Sequence, residues 1–101
     1  MSNVSDLSAR LCAALSEVLR DARLAAELSL GAVAELSGLN RQAITFIERG
    51  DRKPNAETIA KLALALGMLP SDAWKRAEDK LGLSKWDDAA LKPKRKKPRE
   101  S

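Results

Sequence analysis

The sequence predicts an all-α protein, and three observations lead to that prediction. Of the 101 residues, 45% are hydrophobic but only 3% are aromatic, so the core must consist mainly of Leu, Ala, Val and Ile. Leu and Ala favour helices, and the apolar residues recur at three- and four-residue spacing rather than in the alternation of a strand. Residues that cap or end helices separate these runs. A chain of this length suits one domain with a small core.

The first helix is expected to begin with Ser5 as its cap and to end near Glu27. Additional turns at its N-terminal end, around Leu7 and Leu11, have two interpretations. They either cover the protein's own core or pack on the C-terminal segment or a second subunit. The apolar residues that share one face of this helix are Leu7, Leu11, Leu15, Val18, Leu19 and Ala22.

Two short helices separated by a tight turn are predicted in the middle of the chain. Ser29 can cap a helix over residues 30–37, and Gly38 can take the positive φ that a turn requires. Asn40 can cap the following helix, which Gly50 can end in the left-handed conformation.

This following helix, of about nine residues, has two distinct faces. At roughly 100° per residue, Ile44 and Ile47 fall together on an apolar face. The opposite face carries groups suited to base edges and phosphates in a major groove. They are Gln42, Thr45, Phe46 and Arg49, with Arg41 beside them.

Two further helices are predicted. Asn55 can cap a helix over residues 56–66, and Pro70 can open another that runs to about Leu81. Residues 84–88 suit a short helix or an ordered turn.

The positive charge of the chain is concentrated at its C-terminal end. Residues 91–101 carry six Lys or Arg and one Glu, a net charge of +5, whereas residues 1–90 carry 12 basic and 13 acidic residues, a net charge of −1. The segment 92–99 is expected to be disordered when free. It has three interpretations: an electrostatic arm along DNA, a solubility tail or a nuclear-localisation signal.

The residue types present exclude several classes of site. The chain has no His and one Cys, Cys12, so an internal disulfide, a Cys/His zinc cluster and a Ser-His or Cys-His nucleophile pair are all excluded. Cys12 is expected to be a small core or half-buried residue rather than a reactive thiol. No cofactor, metal or membrane contact is predicted, an enzyme is the weakest functional class, and a cytoplasmic location is expected.

The run SGLNRQAITFIERG, residues 37–50, resembles the turn and recognition helix of the phage-repressor/Cro-type helix-turn-helix family. The similarity extends backward through residues 28–36 and forward to Gly67. It implies a five-helix lambda-repressor-like domain over residues 14–82, with residues 1–13 extending the first helix. Residues 83–101 would form a C-terminal segment with the basic tail.

The resemblance implies how this surface would meet double-stranded DNA. In a helix-turn-helix, the N-terminal part of the second helix lies nearest the bases. The expected base contacts are therefore Arg41, Gln42, Thr45 and Phe46. Phe46 would touch thymine methyl groups or, alternatively, pack against a neighbouring loop or a partner protein. The expected phosphate contacts are Arg49, Arg52 and Lys53.

Two further expectations concern Leu30 and Glu48. Leu30 stands where family members commonly have a Gln that touches phosphate, so that contact should be missing here. Glu48 lies toward the inner side of its helix, where a carboxylate needs a partner. The family resemblance implies that Arg23 forms an ion pair with it.

The predicted function is that of a sequence-specific DNA-binding transcription regulator, a repressor that acts as a homodimer on a two-fold-symmetric operator. Trp74, Leu81 and Trp86 are candidates for the dimer surface, with burial inside the monomer as the alternative. One competing hypothesis is an antitoxin-type regulator that also binds a partner protein. Another is a non-regulatory adaptor that uses the same fold for protein contacts.

Overall fold

The computed structural model describes residues 4–83, and five helices account for most of them. The helices are α1 (Val4–Ala25), α2 (Leu30–Ser37), α3 (Arg41–Glu48), α4 (Ala56–Ala65) and α5 (Pro70–Lys80). No strand occurs within this part of the chain. The all-α, five-helix prediction is therefore confirmed.

The core lies where α1 packs against α3 and α5, and where α4 packs against α2 and α5. It is aliphatic, as the composition requires, and none of its fully buried members within residues 4–83 is aromatic. The largest of these, each no more than 2% exposed, are Leu15, Leu19, Val33, Ile44, Ile47 and Leu62.

Both ends of α1 differ from the sequence prediction. The helix already includes Val4, so Ser5 lies inside it and is not its cap; the Ser5 carbonyl instead accepts a hydrogen bond from the Ser8 hydroxyl at 3.0 Å. At the other end, α1 stops at Ala25, two residues before the predicted Glu27. Glu27 has a φ of 59°, which is incompatible with a continued helix.

The extra turns at the start of α1 lie against the protein's own structure. Leu11 packs against the core cluster, and Leu7 is half-buried. Cys12 is also half-buried and lines a small cavity of about 80 Å³ between α1 and the loop that follows α3. These contacts favour the interpretation in which α1 covers its own core.

The C-terminal elements follow the prediction closely. The helix α4 ends at Ala65 and α5 at Lys80, each one residue before its predicted end. Trp74 and Leu81 are half-buried and pack against the core of their own protomer. Trp86, the possible helix or turn at residues 84–88 and the basic segment 92–99 lie outside the described residues.

Candidate nucleic-acid interface

The turn between α2 and α3 is held by local hydrogen bonds that its residue types make possible. Gly38 adopts a φ of 77° and a ψ of 13°, and its N–H donates to the Ala34 carbonyl at 2.9 Å. Asn40 then caps α3, because its Oδ1 accepts from the Gln42 N–H at 2.7 Å. The direction in which α3 leaves the turn is thus set by residues within the motif.

The inner face of α3 is anchored in the core. Ile44 and Ile47 are 0% and 1% exposed. On the outer face, Arg41 and Gln42 are exposed, whereas Thr45 and Phe46 are half-buried. The first turn of α3 therefore offers a guanidinium and a carboxamide to solvent, and both are groups that recognise base edges.

Thr45 turns its hydroxyl back toward its own helix. Its Oγ1 donates to the Arg41 carbonyl at 3.2 Å, which uses the single donor of that hydroxyl. The oxygen keeps lone pairs, so in this conformation Thr45 can accept a hydrogen bond from a base amino group but cannot donate one.

A bidentate ion pair fixes the inner side of α3 to the end of α1. The Arg23 Nε donates to Glu48 Oε2 at 2.8 Å, and its Nη2 donates to Glu48 Oε1 at 3.0 Å. The two side chains are only 13% and 7% exposed. Arg23 also donates to the Leu28 carbonyl at 3.0 Å, so the pair connects α1, α3 and the turn between α1 and α2. The hydrogen bond to Glu48 raises the pKa of Arg23 above its ordinary value, which keeps the guanidinium charged.

The loop between α3 and α4 folds back over the last turns of α3. The Phe46 carbonyl accepts from the Asp51 N–H at 2.9 Å and from the Arg52 N–H at 3.3 Å. The guanidinium carbon of Arg52 lies 5.4 Å from the centroid of the Phe46 ring. Arg49 instead forms an exposed ion pair with Asp51 at 3.3 Å.

Arg20 is a further cation at this surface that the sequence analysis did not single out. It lies on the exposed side of α1 and lines a shallow depression together with Leu30, Thr45, Glu48 and Arg49. No sequence pattern indicates this position, because it depends on how α1 packs against α3. Leu30 itself is half-buried and packs against the core, so it supplies no polar group here.

Within residues 4–83, no helix is both long and apolar enough to cross a membrane. The same residues hold no cluster of His, Cys, Asp and Glu that could bind a metal ion.

Comparison with known proteins agrees with this geometry. The family model of the Cro/C1-type helix-turn-helix, HTH_3, matches residues 19–74, which is more than half of the chain. The match begins inside α1, before Arg23, and ends at Trp74 in α5. No curated protein sequence matches the chain.

Solved structures of two regulators are similar to this protein. The restriction-modification controller protein C.AhdI from Aeromonas hydrophila is 38% identical, over 62% of this chain and 94% of its own, with a TM-score of 0.58. The clp gene regulator ClgR from Corynebacterium glutamicum is similar in two crystal structures. One is 29% identical over 72% of this chain and 95% of its own, with a TM-score of 0.66. The other is 26% identical over 80% of this chain and 86% of its own, with a TM-score of 0.67.

The family match thus spans both helices of the motif, the turn between them and the two residues of the ion pair behind them. The chain belongs to the Cro/C1-type helix-turn-helix family of DNA-binding transcription regulators.

Proposed function

We propose that this protein is a transcriptional repressor that binds a two-fold-symmetric operator in double-stranded DNA as a homodimer. The observation that carries the proposal is the two-sided character of α3. Its inner face is fixed by Ile44, Ile47 and the Glu48 ion pair, while Arg41 and Gln42 project freely from its first turn. A helix fixed in this way can enter the major groove and present the same groups at each encounter.

The proposed base contacts follow from the chemistry of the exposed groups. The Gln42 carboxamide can form two hydrogen bonds with adenine N6 and N7. Arg41 can bind guanine O6 and N7, or a phosphate beside the groove. Thr45 can accept from a base amino group. Two roles are open to Phe46: contact with a thymine methyl group, and support of the loop that carries Arg52.

The proposed phosphate contacts are cations at the edge of the same surface. Arg49, Arg52 and Lys53 belong to this group, and Arg20 is added to it because of its position beside Thr45 and Arg49. Arg49 pairs with Asp51 only at the exposed surface, where an ion pair is weak and can be exchanged for a phosphate. Such contacts supply salt-dependent affinity and set the register on the duplex.

A homodimer is proposed because one helix of eight residues covers few base pairs. A dimer would place two copies of α3 in successive major grooves about one helical turn apart. Trp74 and Leu81 pack partly within their own protomer, so less of each side chain is exposed for contact with a partner subunit. Leu64 and Leu69, at the end of α4 and just before α5, are 60% and 59% exposed. We therefore add these two leucines to the candidate dimer surface.

The similar proteins support regulation but do not identify the genes concerned. C.AhdI is a restriction-modification controller protein, and ClgR is a clp gene regulator. The genes regulated by this protein have to be found through its operator.

The test is selection of preferred duplexes from a random pool, followed by footprinting over a salt series. DNA from upstream of the protein's own gene and a scrambled duplex are included. Protection of a site with two-fold symmetry, and weaker binding to the scrambled duplex, are expected. Arg41→Ala and Gln42→Ala should each weaken operator binding by roughly 5- to 100-fold. Arg76→Ala, which removes an exposed cation from α5, is the matched control and should leave binding unchanged.

The competing hypotheses predict different outcomes for these variants or in a co-purification experiment. An adaptor would keep its cellular function in the Arg41→Ala and Gln42→Ala variants. An antitoxin-type regulator would bind its operator and also co-purify with the product of a neighbouring gene. Equal and steeply salt-dependent binding to operator and scrambled duplex would contradict sequence-specific recognition.

A further inference from the structure

Phe46 holds Arg52 at two points. Its carbonyl accepts from the Arg52 N–H, and its ring lies under the Arg52 guanidinium, whose central carbon is 5.4 Å from the ring centroid. The Asp51 N–H is bound by the same carbonyl. The loop that follows α3 is therefore tied to one residue of α3 through both backbone and side chain.

Resting on the proposed DNA-binding function, we propose that Phe46 is a positioning residue whose ring holds Arg52 in place for a backbone phosphate. In this role Phe46 makes no base contact of its own. A cation held over an aromatic ring is attracted to the ring without losing its charge. Arg52 is exposed, so its N–H groups are open to the two parallel hydrogen bonds that a phosphate accepts.

The surroundings of Arg52 distinguish it from the neighbouring cation Arg49. The guanidinium of Arg49 is paired with the Asp51 carboxylate, whereas Arg52 forms no ion pair within residues 4–83. The ring thus fixes the position of Arg52 without neutralising its charge. Part of the rotamer freedom that a phosphate contact would remove is already restricted in the free protein, and such preorganisation favours binding.

The ring of Phe46 is also poorly placed as a reader of bases. Arg41 and Gln42 are exposed, but Phe46 is half-buried. The Arg52 guanidinium lies over the ring, with its central carbon 5.4 Å from the ring centroid. A thymine methyl group would have to compete with this cation for the ring.

A double-mutant cycle tests the positioning role directly. The variants are Phe46→Leu, Arg52→Ala and the double variant, measured on the selected operator over a salt series. Each single variant should lose about 5- to 10-fold in affinity, and the double variant should bind no more weakly than Arg52→Ala alone. The slope of log K against log salt should fall by up to about one unit in both single variants, because one phosphate contact is lost. Losses that multiply in the double variant would overturn the proposal.

Two further variants control for folding and for neighbouring charge. Phe46→Tyr retains the aromatic face and should bind nearly as well as the wild type, even if Phe46→Leu is destabilised. Lys53→Ala removes the adjacent exposed cation. Because the ring does not hold Lys53, the affinity losses of Lys53→Ala and Phe46→Leu should multiply in the double variant. A Phe46→Tyr protein that folds normally but binds as weakly as Phe46→Leu would contradict the positioning role.

Replacing thymine with uracil in the operator separates positioning from base contact. Uracil lacks only the C5-methyl group, so the positioning role predicts the same loss for Phe46→Leu on both duplexes. A direct thymine contact predicts that the wild type binds the uracil duplex more weakly and that the effect of Phe46→Leu disappears there. That second result would overturn the proposal.

Failure of the proposed function is distinguishable from failure of this inference. A wild-type protein without any operator preference contradicts sequence-specific regulation. The cycle is then run on a random-sequence duplex, where phosphate contacts still set the salt slope. An equal fall in slope for Phe46→Leu and Arg52→Ala supports the positioning role, and an unchanged slope for Phe46→Leu refutes it.

Discussion

Removal of the Glu48 carboxylate should both destabilise the fold and weaken DNA binding. In Glu48→Ala, Arg23 loses two hydrogen bonds, of 2.8 and 3.0 Å, while its guanidinium stays in a site where it is only 13% exposed. Breaking a buried ion pair by removing one partner costs about 3–5 kcal/mol. Arg23 keeps its bond to the Leu28 carbonyl and some access to water, so we expect about 2–4 kcal/mol.

The loss should be visible as a lower melting temperature. A domain of this size shifts by about 4–8 °C per kcal/mol, so a cost near 3 kcal/mol corresponds to a fall of roughly 10–25 °C. Circular dichroism at 222 nm during thermal and urea unfolding measures it. Lys61→Ala is the matched control, because it removes an exposed i,i+4 ion pair with Glu57 and should change stability by less than about 0.5 kcal/mol.

A double variant shows whether the cost comes from the pair itself. Arg23→Met combined with Glu48→Leu replaces two opposite charges with apolar groups of similar volume, and such replacements are often close to neutral. The double variant should therefore be more stable than Glu48→Ala. An unchanged melting temperature for Glu48→Ala, or a double variant no more stable than Glu48→Ala, would refute this reasoning.

Three other predictions concern α1, its C-terminal end and the dimer surface. Arg20→Ala should weaken binding to operator and scrambled duplex alike by roughly 3- to 10-fold and lower the salt slope by about one unit, measured by fluorescence anisotropy; an unchanged slope would remove Arg20 from the interface. Glu27→Gly should stabilise the protein by about 0.5–1 kcal/mol, because a φ of 59° is costly for a residue with a Cβ; a lower melting temperature would contradict this. Leu64→Glu with Leu69→Glu should weaken self-association in sedimentation equilibrium with little effect on the fold of the monomer, and unaltered association would place the dimer surface elsewhere.

Local chemistry explains why the helices could be predicted from the sequence. Ser29, Asn40 and Asn55 each cap a helix by accepting from a backbone N–H two or three residues ahead. Such contacts depend only on neighbouring residues, so the residue types are sufficient evidence. The end of α1 was harder to predict because Glu27, not a glycine, takes the positive φ, and the turn is closed by the Leu28 N–H donating to the Arg23 carbonyl.

In the candidate site too, features with local causes could be predicted from the sequence, and features that depend on tertiary packing could not. Helical periodicity was enough to place Ile44 on the inner face of α3 and Gln42 on the outer face. It could not show that the loop returns over Phe46, because this contact depends on the path of the chain after Gly50. Arg20 was missed for a similar reason: it lies on α1, and only the packing of α1 against α3 brings it beside Thr45.

The two contacts that hold α3 in place imply a division between affinity and specificity. On the inner side, Glu48 ties α3 to α1; on the outer side, Phe46 ties it to the following loop. Neither contact involves the exposed groups of the first turn, Arg41 and Gln42. Substitutions at Phe46 should therefore weaken binding to all duplexes by a similar factor, because they loosen a phosphate contact; Glu48→Ala displaces the whole helix and should weaken binding to the operator most. Substitutions at Arg41 or Gln42 should instead change which base is preferred at particular operator positions, because base contacts carry the sequence information and phosphate contacts do not.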